Sequence, residues 1–263
     1  MNKGSLQRII CLTEETVETL YLLGEHHRIV GVSGFVVRPP EARRKPKVST
    51  FTDAKIDEIL ALKPDLVFSF SDIQAEITAN LMRAGLEVHG FNHRTIAGIF
   101  AMIRTVGALI GEPDKASALT ATLQANVDDA REKAKALKRR PRVYFEEWDK
   151  PMISAIGWVS ELIEIAGGDN VFADRAFGQA AKDRFVTAEE VIASAPDIII
   201  CSWCGKGFKK DQVVARAGWD QIPAVKNNRL YEIKSSIILQ PGPAALTDGL
   251  DKMQKIFMQP TRP

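Results

Sequence analysis

Few side chains in this sequence can do chemistry, and most of them lack the companions that chemistry needs. Cys201 and Cys204 have the spacing of a redox or metal pair in Cys201-Ser202-Trp203-Cys204. With three cysteines in the whole chain, no second pair completes a four-ligand zinc site. Cys201 also closes the run Ile198-Ile199-Ile200, which reads as a buried strand, and a buried thiol is inert. Among the four histidines, His26 and His27 fall in the turn after the first helix, His89 inside a strand, and His93 just after that strand. One imidazole without companions is a weak metal site. Glu146 and Glu147 are adjacent, and neighbours on a strand point to opposite faces, so they do not form one acid–base pair. The Gly-x-Ser-x-Gly elbow, the phosphate loop, the dinucleotide fingerprint and His-Glu-x-x-His are all absent. No catalytic residue and no metal ligand is assigned, and the expectation is a protein that binds rather than one that turns over.

The aromatic residues carry a stronger signal. Phe51, Phe70, Trp148 and Trp203 stand at or just after strand ends, and Trp158, Phe177 and Phe208 lie in nearby loops or helix starts. In parallel α/β folds ligands bind beyond the carboxyl ends of the strands, and large rings on polar loops suit a broad, flat, partly apolar ligand. Taken singly, each ring also fits plain packing beneath a loop.

Positioning these rings requires a particular scaffold, and the chain shows it twice. Ile56-Asp57-Glu58-Ile59-Leu60-Ala61-Leu62-Lys63-Pro64-Asp65-Leu66-Val67-Phe68 is echoed by Ala188-Glu189-Glu190-Val191-Ile192-Ala193-Ser194-Ala195-Pro196-Asp197-Ile198-Ile199-Ile200. Each copy is a short amphipathic helix, a Pro-Asp break, and an apolar run typical of a strand buried on both faces. Each half also opens with a short strand, 8–12 and 142–146, followed by a helix ending in glycine, 16–24 and 159–167. Further strands are expected at 29–32, 66–70, 87–91, 198–201 and 229–233, with a helix over 73–84. Between the halves, 115–138 contains no proline or glycine and reads as one long helix. The predicted fold is therefore α/β, with two Rossmann-like lobes of parallel-rich sheet joined by a single long helix and a ligand cleft between the lobes. The boundaries are 1–114 for the first lobe, 115–138 for the interlobe helix and 139–263 for the second lobe.

Composition excludes several classes of function. The 35 basic and 33 acidic residues nearly cancel and form no long stripe, so a nucleic-acid surface is not expected. No stretch reaches the length of a membrane span, and residues 1–7 hold no apolar run of leader length. The expected compartment is cytoplasmic if Met1 is the natural start, and periplasmic or cell-surface if a leader was left out. A monomer is expected.

Several segments resemble the solute-binding proteins of the helical-backbone class, which serve ABC importers of vitamin B12, siderophores and haem. They are Val30-Gly31-Val32-Ser33, Pro39-Pro40-Glu41-Ala42-Arg43, Ala61-Leu62-Lys63-Pro64-Asp65-Leu66-Val67, Glu161-Leu162-Ile163-Glu164-Ile165-Ala166-Gly167-Gly168, Cys204-Gly205 and Gly218-Trp219-Asp220-Gln221-Ile222-Pro223-Ala224-Val225. Pro39-Pro40-Glu41, Glu147-Trp148 to Trp158, Cys204-Gly205 and Arg229-Leu230-Tyr231 to Pro241-Gly242-Pro243 are most similar to the cobalamin-binding branch. Where that branch carries an acid and an aromatic before Pro-Pro-Glu, this chain has Val37 and Arg38. The resemblance implies a corrinoid ligand, no resident cofactor, and a membrane permease partner docked through one acid on each lobe. Glu76 matches the first of these acids, and Asp211 or Asp220 the second. Two other readings remain open. One is a siderophore or other anionic metal chelate held by Arg38, Arg43, Arg94 and Lys206; the other is a cytoplasmic metal- or tetrapyrrole-handling enzyme using His93, Glu147 and Cys204.

Overall fold

The computed structural model describes residues 6–259. Two compact units emerge, one made of the chain up to Leu123 together with Gln240–Pro243, the other of Gln124–Leu239 and the chain from Ala244 onward. Unit 1 contains β1 (Ile9–Cys11), α1 (Glu14–Leu22), β2 (Ile29–Ser33), β3 (Lys47–Ser49), α2 (Ile56–Ala61), β4 (Leu66–Phe70), α3 (Ala75–Arg83), β5 (Val88–Phe91) and α4 (Ile96–Leu109). Its sheet runs in the order β3-β2-β1-β4-β5, with every pairing parallel. Ile10, Leu12, Val67, Ile59 and Leu81 form a core between the strands and helices α2 and α3. Val17 and Leu20 of α1 and Ile99, Ile103 and Val106 of α4 are fully buried as well.

The helix α5 (Pro113–Ala134) begins in unit 1 and ends in unit 2. At about 1.5 Å per residue its 22 residues span roughly 33 Å. It is one helix, as the sequence suggests, but it stops four residues earlier than expected. The amides of Lys135, Ala136 and Leu137 bond to carbonyls three residues back, which tightens the last turn and ends the helix.

Unit 2 continues with β6 (Arg142–Asp149), β7 (Met152–Ser154), α6 (Gly157–Ile165), β8 (Asp169–Asn170), α7 (Ala188–Ser194), β9 (Ile198–Cys201), α8 (Lys210–Val214), α9 (Pro223–Lys226), β10 (Leu230–Glu232), α10 (Ser235–Ile238) and α11 (Leu250–Phe257). The sheet order is β10-β9-β6-β7, with β8 also on β6. Only the β6–β7 pairing is antiparallel. The architecture is α/β with two parallel-rich sheets.

The repeated motif folds the same way in both units. Proline ends α2 and α7 and bars the preceding residue from the right-handed helical region, so Lys63 and Ala195 turn left-handed, at φ 45° and 42°. The aspartate that follows then clasps the start of the unit's first strand. Asp65 accepts the amides of Gln7 and Arg8, each at 2.8 Å, and Asp197 accepts that of Arg142 at 2.9 Å. The arginine side chain returns to the end of the helix, Arg8 to Leu62 O at 2.6 Å and Arg142 to Ser194 O at 2.8 Å.

Candidate functional site

In unit 2 the long strand β6 delivers the chemistry at its carboxyl end. Its pleat sends Glu146 and Glu147 apart, as expected, and different arginines hold them. The Glu147 carboxylate takes Arg184 Nη2 at 3.1 Å. Glu146 is fully buried and accepts five donors: Tyr144 Oη at 3.0 Å, Trp203 Nε1 at 3.0 Å, the two terminal nitrogens of Arg216 at 2.5 and 2.9 Å, and the Cys201 thiol at 4.0 Å. A carboxylate taken out of water is tolerable only with such complete pairing. Burial, and then the Glu146 charge, push the Tyr144 hydroxyl well above its ordinary range. Burial likewise raises the Cys201 thiol and keeps it unreactive. Arg216 stacks on Trp219 with its guanidinium 4.4 Å from the ring centroid.

Glu146 thereby fixes the Trp203 ring, which meets Phe208 edge-on at 5.7 Å. Trp148, half-buried at the end of β6, donates Nε1 to Lys150 O at 2.9 Å. Both indoles spend their N–H elsewhere and are left with ring faces to offer. Lys206 Nζ lies 4.3 Å from the Trp148 centroid and 5.0 Å from that of Trp203. The same ammonium pairs with Asp149. Burial raises the Asp149 carboxyl, but the Lys206 hydrogen bond and charge outweigh it and hold the group below its ordinary value.

In unit 1 the residues at the strand ends are tied by an amide the sequence gave no reason to single out. Gln74, fully buried, accepts the Phe70 amide at 3.0 Å and donates to Phe51 O at 3.2 Å and Leu12 O at 3.4 Å. Phe70 also meets His93 edge-on at 5.2 Å and has Arg94 5.9 Å from its ring centroid. Phe51 lines a small depression with Thr13, Glu14, Ser33, Val36 and Gln240. Glu14 accepts the amides of Val37 and Arg38 at 2.9 and 2.5 Å, while the Arg38 guanidinium lies 3.3 Å from Glu18. Beside it, Glu15 is 1% exposed, with Oε2 buried and lacking a hydrogen-bond partner. Burial pushes both carboxyls up to about 7. The backbone of Gly242 packs directly on Glu15, where a Cβ would fall 2.6 Å from the glutamate's own Cβ. Next to it Pro241 O accepts from His93 Nε2 at 2.9 Å. His93 Nδ1 is buried without a partner and burial depresses the ring's pKa, so the imidazole is neutral with its proton on Nε2.

The structure thus brings together Trp148, Trp203 and Phe208 in unit 2, and Phe51 and Phe70 in unit 1. Trp158 sits apart in α6, 3% exposed and bonded through Nε1 to Ile238 O at 2.9 Å. Phe177, beyond the 3-10 turn Ala173–Arg175, is 52% exposed. Phe70 and Trp203 are 6% and 4% exposed, so truncating either removes core packing as well as a ring face. Glu76 lies exposed in the first turn of α3, 3.2 Å from Arg83, and Asp211 lies exposed in the first turn of α8. Cys201 and Cys204 are not disulfide-bonded. Among the described residues no cluster of three potential metal ligands occurs, and no helix is long and apolar enough to cross a membrane. Gln74, Glu14, Asp149 and Arg216 escape sequence reading because each has a partner far away in the chain.

Known proteins are similar to this chain in sequence and in fold. An ABC transporter substrate-binding lipoprotein of Bacillus subtilis, itself uncharacterized, is 26% identical over 95% of this chain and 80% of its own length. The vitamin B12-binding protein of Vibrio parahaemolyticus is 28% identical over 94% of this chain and 88% of its own. The solved structure of a periplasmic heme-binding protein of Roseiflexus sp. RS-1 superposes with a TM-score of 0.82 at 24% identity, covering 96% of this chain and all of the other. With its sequence matched over residues 9–237, the chain belongs to the periplasmic binding protein family.

Proposed function

We propose that this chain is the substrate-binding component of an ABC importer and that its cargo is a corrinoid of the cobalamin kind. The observation that carries the reading is the pair of indole faces at the carboxyl end of unit 2, Trp148 and Trp203 with Phe208 beside them, a surface suited to a large flat ligand. The relative named as a vitamin B12-binding protein supports the corrinoid over other chelates. In unit 1, Phe51, Phe70 and Arg38 are the residues proposed to meet a ligand. Glu76 and Asp211, exposed at helix starts, are the proposed docking acids for the permease. The family and the lipoprotein relative support a periplasmic or cell-surface setting. The role is capture and release without turnover; the enzyme reading would need a free Glu147, and that carboxylate is held by Arg184.

Titration calorimetry with cyanocobalamin, hemin and a ferric hydroxamate tests this reading. Cyanocobalamin should bind most tightly, and hemin or the siderophore binding in its place overturns the corrinoid. Trp148→Ala is the informative variant, because the ring is only half-buried. Loss of a desolvated aromatic contact typically removes about 2 kcal/mol, roughly thirtyfold in affinity. Unchanged affinity in that variant would place the ligand elsewhere.

A further inference from the structure

The faces of Trp148 and Trp203 are not bare. Lys206, on the exposed turn after β9, lays its ammonium against both rings at 4.3 and 5.0 Å and closes the arrangement through Asp149. Asp149 keeps only 10% of its side-chain surface and Lys206 keeps 40%, so the acid is part of the wall and the lysine is the movable member. The rings themselves are fixed from behind, Trp203 by Glu146 and Trp148 by the Lys150 carbonyl. Two fixed aromatic faces and a carboxylate form a cage for a cation, and here the cation is the chain's own.

We propose that Lys206 is a tethered occupant of the Trp148–Trp203 cage, displaced by the flat face of an incoming ligand and then paired with an anionic group at that ligand's edge. Gly205 and Gly207 flank the lysine, and a Cβ at either position would meet nothing within 4 Å, so the turn has open space in which to carry the side chain aside. A flat ligand without an anionic edge displaces the ammonium and gives nothing in return. One with such an edge recovers the lost charge pairing. Lys206 therefore selects for ligands that combine a flat face with a negative edge. Applied to corrinoids, the inference rests on the reading proposed above: cobalamin carries a phosphodiester in its nucleotide loop, and cobinamide lacks it.

Calorimetry of cyanocobalamin and dicyanocobinamide against the full chain and Lys206→Ala reads this selection. The variant should bind cobinamide about fivefold more tightly, the size of one weak cation–π contact, and should gain nothing for cobalamin. Lys206→Arg, which keeps a cation, should retain the discrimination of the unaltered chain. Equal shifts for both ligands, no shift for either, or an Arg variant that behaves like Ala overturns the proposal. If the unaltered chain binds neither corrinoid, the cargo reading falls, and the cage is judged without ligand by acrylamide quenching of tryptophan emission. Trp158 and Trp219, 3% and 0% exposed, supply a constant background. Quenching should rise in Lys206→Ala and in Asp149→Asn, which releases the ammonium, and unchanged quenching in both overturns the occupied cage whatever the cargo.

Discussion

At the amino ends of the two sheets, units 1 and 2 do the same thing with the same residues. Asp65 and Asp197 follow a proline, accept the amides that open the first strand, and face an arginine that returns to the end of the preceding helix. At the carboxyl ends the units part. Glu146 in unit 2 is buried with five donors on it, whereas Glu15 in unit 1 is buried with one oxygen unpartnered. The joint must satisfy backbone groups that every such helix-to-strand connection leaves exposed, so it tolerates little change. The opposite end is built from loops, which carry fewer such backbone constraints, and there the two units differ.

The sharpest way to break this contrast is Arg216→Ala, which leaves Glu146 buried and without its cation. Urea unfolding should show a loss of about 4 kcal/mol, against less than about 1 kcal/mol for Arg38→Ala, whose pairing with Glu18 is partly exposed. Equal losses would mean that unit 2 does not depend on its buried pair.

Next in size is Glu15→Gln. Its carboxyl titrates near 7 in the fold against 4.5 in a free chain, so between those values the unfolded chain gives up a proton that the fold retains. Stability therefore falls as pH rises from about 4.5 to about 7, with Glu14 contributing in the same direction, and levels off above. Glu15→Gln should match the unaltered chain at pH 4.5 and exceed it by about 3 kcal/mol at pH 8. A constant difference across that range would show that the carboxyl is not the cause.

Asp65→Ala and Asp197→Ala sharpen the shared half of the comparison. Asp65→Ala removes the acceptor of two strand-opening amides, and Asp197→Ala that of one amide and the partner of Arg139, so each should cost about 1.5 kcal/mol. A threefold disparity would mean that the two joints differ in spite of their common form. The smallest effect belongs to Glu76→Ala. Its pairing with Arg83 is exposed on both sides, so the melting temperature should hardly move while affinity for the cognate permease drops.

Much of this scaffold is legible in the chain because its rules are local. The Pro-Asp echo, the runs 66–70 and 198–201 and the proline-free stretch that became α5 each declare themselves within a short window. Strands β7 and β8, with three and two residues, are too short to carry a period of their own and owe their form to pairing with β6. The candidate site is legible in part. Aromatic residues at strand ends mark the region, yet Phe177 and Phe208 look alike in sequence, and only Phe208 reaches the indoles. Arg216 reads as an ordinary cation near a helix end; nothing local announces that it neutralises a glutamate 70 positions away.

Gln74 has one more consequence, and it concerns time. The Phe70 amide can exchange its hydrogen with solvent only when the Gln74 carboxamide lets go of it, and the same carboxamide holds the carbonyls of Leu12 and Phe51. Three segments far apart in sequence thus share a single latch, and a ligand resting on any one of them slows the opening of all three. Deuterium uptake at Phe70 becomes a clock for the whole strand-end surface of unit 1, readable before the cargo has been identified.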